Sequence, residues 1–71
     1  MKKLTHPQYL QLLGLLALAA EHVAQLAAIQ GAAEKITGEK DGHTRDVVWS
    51  GETPQGAAEY LLTQLKLGHD G

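Results

Sequence analysis

The chain contains no cysteine and no phenylalanine. Without thiols it forms neither a disulfide nor a thiolate zinc site, two of the usual staples of a small protein. Its aromatic side chains are one Trp and two Tyr, so large core fillers are scarce as well. The apolar content is Leu and Ala instead, residues that favour helix and, for Ala above all, fill little volume. A core built by 71 residues supplies only about 3–5 kcal/mol unaided. With the covalent and thiolate staples excluded, a second chain is the expected source of further stability, and one domain spanning 1–71 is all the length allows.

Positive charge is also short. Six basic residues face eight acidic ones for a net charge of −2, and only Lys2 and Lys3 adjoin. A protein that neutralises nucleic-acid phosphates needs a basic stripe, so no nucleic-acid partner is expected. A long apolar run is missing too. The uncharged stretch from Leu4 to Ala20 is interrupted by Thr5, His6, Gln8 and Gln11 and falls short of the ~20 predominantly apolar residues that span a bilayer. Met1-Lys2-Lys3, the run Leu12 to Ala20 and Ala17-Leu18-Ala19 imitate a secretory signal. The same polar interruptions oppose that reading, as does an apolar pattern that continues to Ile36. No membrane partner and a cytoplasmic location are the expectations.

What is present is a strong helix signal. Thr5 and Gln8 have the spacing of a capping box, Pro7 sits in the first turn, and Leu4 and Tyr9 occupy the positions of a hydrophobic staple. Ile36-Thr37-Gly38 reads as the stop, with Gly38 in the left-handed closing position. The spacing therefore predicts one helix over about 6–36, a rod of about 45 Å at 1.5 Å per residue. With Leu12 at heptad position a, the a and d sites run Leu12, Leu15, Ala19, His22, Leu26, Ile29, Ala33 and Ile36, broken only by His22. A ridge of Leu16, Val23, Ala20, Ala24, Ala28 and Ala32 lies beside it. Gly14 and Gly31 each cost about 1 kcal/mol relative to Ala inside a helix, which close helix packing offsets. From Leu10 to Ala20 the helix is apolar on almost every face, and such a helix must be surrounded. The expected oligomer interface is Leu12, Leu15, Leu16, Ala19, His22, Val23, Leu26 and Ile29. His22 is either a buried polar residue that sets register or, as preferred, an edge residue leaning out beside Glu21 and Gln25.

Residues 37–53 read as an irregular connector with a turn at Asp41-Gly42 and a slightly favoured extended stretch at Val47-Val48-Trp49. Trp49 is expected to anchor it on the first helix. A second helix over about 54–67 starts at Thr53-Pro54 and carries the stripe Ala58, Leu61, Leu62 and Leu65. Residues 68–71 read as a disordered tail. The fold class expected is all-α, a long and a short helix forming a helical homo-oligomer, with a four-helix dimer as the default symmetry.

Chemistry is sparse. His6, His22, His43 and His69 show no i, i+4 pairing, so no metal site and no cofactor is expected. Setting Gly42 at position 6 of a calcium loop puts Thr37 at position 1 and Val48 at position 12, where carboxylates are needed. Asp41, His43, Thr44, Asp46 and Ser50 are near one another in sequence, but nothing fixes a base against a nucleophile, and a non-enzymatic protein is expected. Lys40, His43, Arg45 and Trp49 bracket a loop that offers charge and a stacking surface to an anionic small ligand or a protein partner.

The run Leu12 to Ile36, the connector Thr37-Gly38-Glu39 through Asp46, and Leu61, Leu62 and Leu65 together resemble small two-helix proteins encoded by bacteriophages. The resemblance implies an interaction protein that binds or inhibits a host protein, or alternatively an oligomer that sequesters an anionic, nucleotide-like ligand between subunits. It carries no functional residue over to this chain.

Overall fold

The expected rod breaks at His22. In the computed structural model, which describes residues 2–40, 42–51 and 53–70 and not the side chain of Trp49, helix α1 runs His6–Glu21 and helix α2 runs Leu26–Thr37. A single 3₁₀ turn, Val23–Gln25, joins them. His22 leaves the helical region with φ −131° and ψ 64°, and its N–H closes the last turn of α1 on Leu18 O at 2.8 Å. Nothing in the local sequence forces this, since no Gly or Pro lies between residues 15 and 30. His and Val are only middling helix formers. Nor is the new helix start capped, because Gln25 makes no side-chain bond there.

Packing supplies the reason. A missing cap costs about 1 kcal/mol, whereas burying a Leu or Ile contributes about 1.5–3 kcal/mol each. Breaking the rod lets α1 and α2 pack on each other and buries Leu26, Ile29 and Ala33 at 5%, 4% and 0% exposure. The longest dimension of the chain is 32 Å, well under the rod's expected length.

The start of α1 is as read. Thr5 Oγ1 accepts from Gln8 N–H at 3.3 Å, and Gln8 Oε1 accepts from Thr5 N–H at 2.9 Å. Gly38 closes α2 at φ 73°, with its N–H donating to Glu34 O. A Cβ at Gly38 would meet only the movable end of the Lys2 side chain, so it is the positive φ that favours glycine there.

The connector is not irregular throughout, because its middle is helical. Helix α3 covers Thr44–Trp49 and buries Thr44 and Val47 against α1, α2 and α4. Val47-Val48 is thus a helical turn, because Val47 gains a core position that an extended strand with no neighbour would not offer. The expected turn at Asp41 and the anchoring of Trp49's side chain lie outside the described residues. Helix α4, Pro54–Leu65, begins as expected with Thr53 Oγ1 accepting from Gly56 N–H at 3.1 Å. It stops two residues earlier than read, at Lys66 in the left-handed region with φ 57°.

The tail is ordered. Beyond buried Leu67, residues Gly68–His69 form strand β2, which pairs in parallel with β1, Lys3–Leu4. Gly68 N–H donates to Lys2 O at 3.0 Å and Asp70 N–H to Leu4 O at 3.1 Å. Lys3 Nζ stands 2.8 Å from Asp70 Oδ1, and the His69 ring stacks on Tyr9 at 3.9 Å between centroids. His69 Nε2 is 3.0 Å from Glu59 Oε1. Leu4, Tyr9, Leu12, Leu16, Leu61 and Leu62 form the main core over which this clasp closes.

Candidate functional site

The interface expected from the heptad is mostly spent inside one chain. Leu12, Leu16, Ala19, Leu26 and Ile29 are all at most 5% exposed within the monomer, and half-buried Leu15 packs beside Ala19, Leu26 and Ile29. The seam read as a contact between two chains is thus spent within one, Leu12 and Leu16 against α4 and Ala19, Leu26 and Ile29 between α1 and α2. Only His22 and Val23 reach the surface, at the break. The alanine ridge also turns outward: Ala20, Ala24 and Ala28 are exposed and Ala32 is half-buried. Gly14 and Gly31 have nothing within 4 Å of a built Cβ, so no contact inside the chain requires either glycine.

What stays outside is a different face of α1. Leu10 is 52% exposed, Leu18 39% and Val23 48%. Leu10, Gly14 and Leu18 are spaced i, i+4, i+8 and lie along one ridge of the helix. No Asp, Glu, Lys or Arg occurs between Leu4 and Ala20, so the outward face of α1 carries no formal charge until exposed Glu21, one turn beyond Leu18 at the helix end. Heptad reading placed Leu10 and Leu18 off the seam. Their signal was the apolar surplus all round this helix, which an inner face alone does not absorb.

The four loop residues expected to hold a ligand do not converge. Lys40 is exposed and borders an open cleft at the end of α2 with Gly31, Glu34, Lys35, Gly38 and Glu39. Two acids and two bases balance there. His43 caps α3 and adjoins a second cleft of about 300 Å³ between α3 and α4, lined by Asp46, Val47, Ser50, Gly56 and Tyr60. Its Nδ1 is 3.9 Å from Asp46 Oδ2, and its ring meets Tyr60 edge-on at 6.2 Å. Arg45 is exposed, and the side chain of Trp49 lies outside the described residues. Neither cleft gathers the positive charge that an anionic ligand needs.

Two titrating groups belong to the terminal clasp. The Lys3 ammonium, hydrogen-bonded to Asp70, holds that carboxyl below its usual range. Burial pushes the Tyr9 phenol up, and the Glu59 carboxylate adds to the shift. Among the described residues no cluster of three His, Asp or Glu is placed to hold a metal ion, and no helix is long and apolar enough to cross a membrane. Compared with protein-family models, curated proteins and solved structures, the chain matches none.

Proposed function

We propose that this chain is a non-enzymatic interaction protein that associates with a second copy of itself through the outer face of α1. The observation that carries the proposal is the exposure of Leu10 and Leu18 along one ridge of α1, with no Asp, Glu, Lys or Arg before Glu21 at its end. Single exposed apolar residues are ordinary, but apolar residues aligned along one helix ridge mark a contact surface. The apolar stretch from Leu10 to Leu18 offers nothing to a charged partner and can pair with its own copy in a two-fold interface, with Glu21 at the rim. Gly14, which meets nothing inside the chain, would let two such helices approach closely.

The interface is small. A helix of 16 residues presents a strip about 24 Å long and about 10 Å wide, against about 800 Å² per partner in a standard interface. Val23 and Ala24 extend it past the break, yet the association is expected to be weak and to depend on concentration. A bacterial host protein is proposed as the dimer's further partner. That rests only on the resemblance of layout to small phage-encoded proteins, which the four helices among the described residues weaken.

Sedimentation velocity across a wide concentration range tests the reading. Wild type should pass from monomer toward dimer, and Leu18→Glu, altered at a surface position, should stay folded and monomeric. A wild type that remains at 7.6 kDa throughout, or a Leu18→Glu variant that associates equally well, would refute it.

A further inference from the structure

We propose that the cleft between α3 and α4 binds an organic cation carrying N–H donors, the guanidinium or ammonium group of a free amine or of a partner's Arg or Lys side chain. The site is separate from the outer face of α1 and does not depend on it. Its volume of about 300 Å³ equals that of about ten water molecules, enough for such a group and its alkyl stem.

The hydrogen-bonding character of the lining selects the ligand. Asp46 is the ionised group among the described lining residues, and its side chain is 64% exposed. His43 Nδ1 stands 3.9 Å from its carboxylate, beyond hydrogen-bond reach but within ion-pairing distance when the imidazole is charged. Ser50 has one hydroxyl proton and donates it to Val47 O at 2.8 Å, so toward the cleft its oxygen acts as an acceptor. The N–H of Gly56, which an anion would seek, is taken by Thr53 Oγ1 in the cap of α4. The cleft therefore presents acceptors and negative charge where the loop's composition had suggested an anion site. Tyr60, 44% exposed, supplies an aromatic surface against which a cation is stabilised, and Val47 offers an apolar floor for the stem.

Amide NMR of the full chain, titrated with L-argininamide and separately with an Ala/Gly-rich peptide holding one Arg, tests this. Urea serves as the neutral isostere and sodium phosphate as the anion. Saturable shifts confined to residues 46–50 and 56–60 are expected. Argininamide and peptide binding alike would point to a free cation as sufficient ligand, and binding by the peptide alone to a partner's side chain. Asp46→Asn should weaken binding about tenfold, the effect of losing one charge-assisted contact. Tyr60→Leu should weaken it severalfold, keeping the test open if Asp46→Asn perturbs α3. Absence of saturable shifts with either cation, equal shifts with urea or phosphate, or undiminished binding by both variants would overturn the assignment.

Discussion

Replacing Leu12 by Ala is the sharpest way to tell a core within one chain from a seam between two. Leu12 is 0% exposed and sits in the main cluster with Leu16, Leu61 and Leu62. Truncating a fully buried Leu costs about 3–4 kcal/mol, the lost transfer energy plus the cavity left behind. The core of a chain of this length supplies about 3–5 kcal/mol, so the variant should lose most of its stability. The matched control is Leu18→Ala, 39% exposed, which should cost the monomer about 0.5 kcal/mol or less. Urea unfolding followed by far-UV circular dichroism at two widely separated concentrations reads both quantities. Because Leu12 is buried within its own chain, its penalty should be the same at both concentrations. A penalty below about 1 kcal/mol, or one present only at the higher concentration, would refute the packing described here and restore an intermolecular seam.

Other perturbations follow from the same structure. Gly14→Ala should stabilise the monomer by about 0.5–1 kcal/mol in a dilute thermal melt, since helix propensity improves and the new methyl meets nothing, while raising the dissociation constant of the dimer in sedimentation; a tighter dimer would count against the outer-face contact. Lys66 holds φ 57° without being glycine, so Lys66→Gly should add about 1 kcal/mol to the unfolding free energy, whereas Gly38→Ala at φ 73° should remove a similar amount or more. Asp70 has a depressed folded value, so its contribution is present above the unfolded carboxylate range and is lost as pH falls through the folded value. Amide exchange at Gly68 and Asp70 should accordingly accelerate in acid before the helices melt, and Lys3→Met should abolish that early step. Tyr9 is shifted upward, so its contribution is intact below the unfolded value of 10.0 and declines as pH rises through the folded value. Tyr9→Phe should remove the alkaline loss.

Helix starts were legible because they are chemically local. Thr5-His6-Pro7-Gln8 and Thr53-Pro54 specify caps within four residues of sequence, and both form. The apolar inventory was legible too, since Leu12, Leu16, Ala19, Leu26, Ile29, Ala58, Leu61 and Leu62 are all buried. Which surface covers them was not. A heptad pattern from Leu12 to Ile36, interrupted only at His22, is compatible with one rod against another chain or with two halves folded together, and His22 carries no local signal that decides between them. Helix α3 was missed because its stability comes from seating Val47 and Thr44 among distant residues, which neighbouring sequence does not encode. The clasp was missed for the same reason, being a pairing of residues 3–4 with 68–69 across nearly the whole chain. Of the candidate sites, the loop cations were visible individually. The acceptor character of the α3–α4 cleft depends on how Ser50 and Gly56 spend their own donors, which only the fold determines.

The apolar surface of α1 is divided, its inner half serving the chain's own core and its outer half, as proposed, a second copy. Isotope-filtered NMR on a mixture of labelled and unlabelled chains tests that division directly. Intermolecular contacts from the methyls of Leu10, Leu18 and Val23, with none from Leu12, Leu16 or Leu26, are the result expected. Intermolecular contacts from Leu12, Leu16 and Leu26 instead would mean that α1 and α2 are one rod whose seam lies between chains, and would contradict the account.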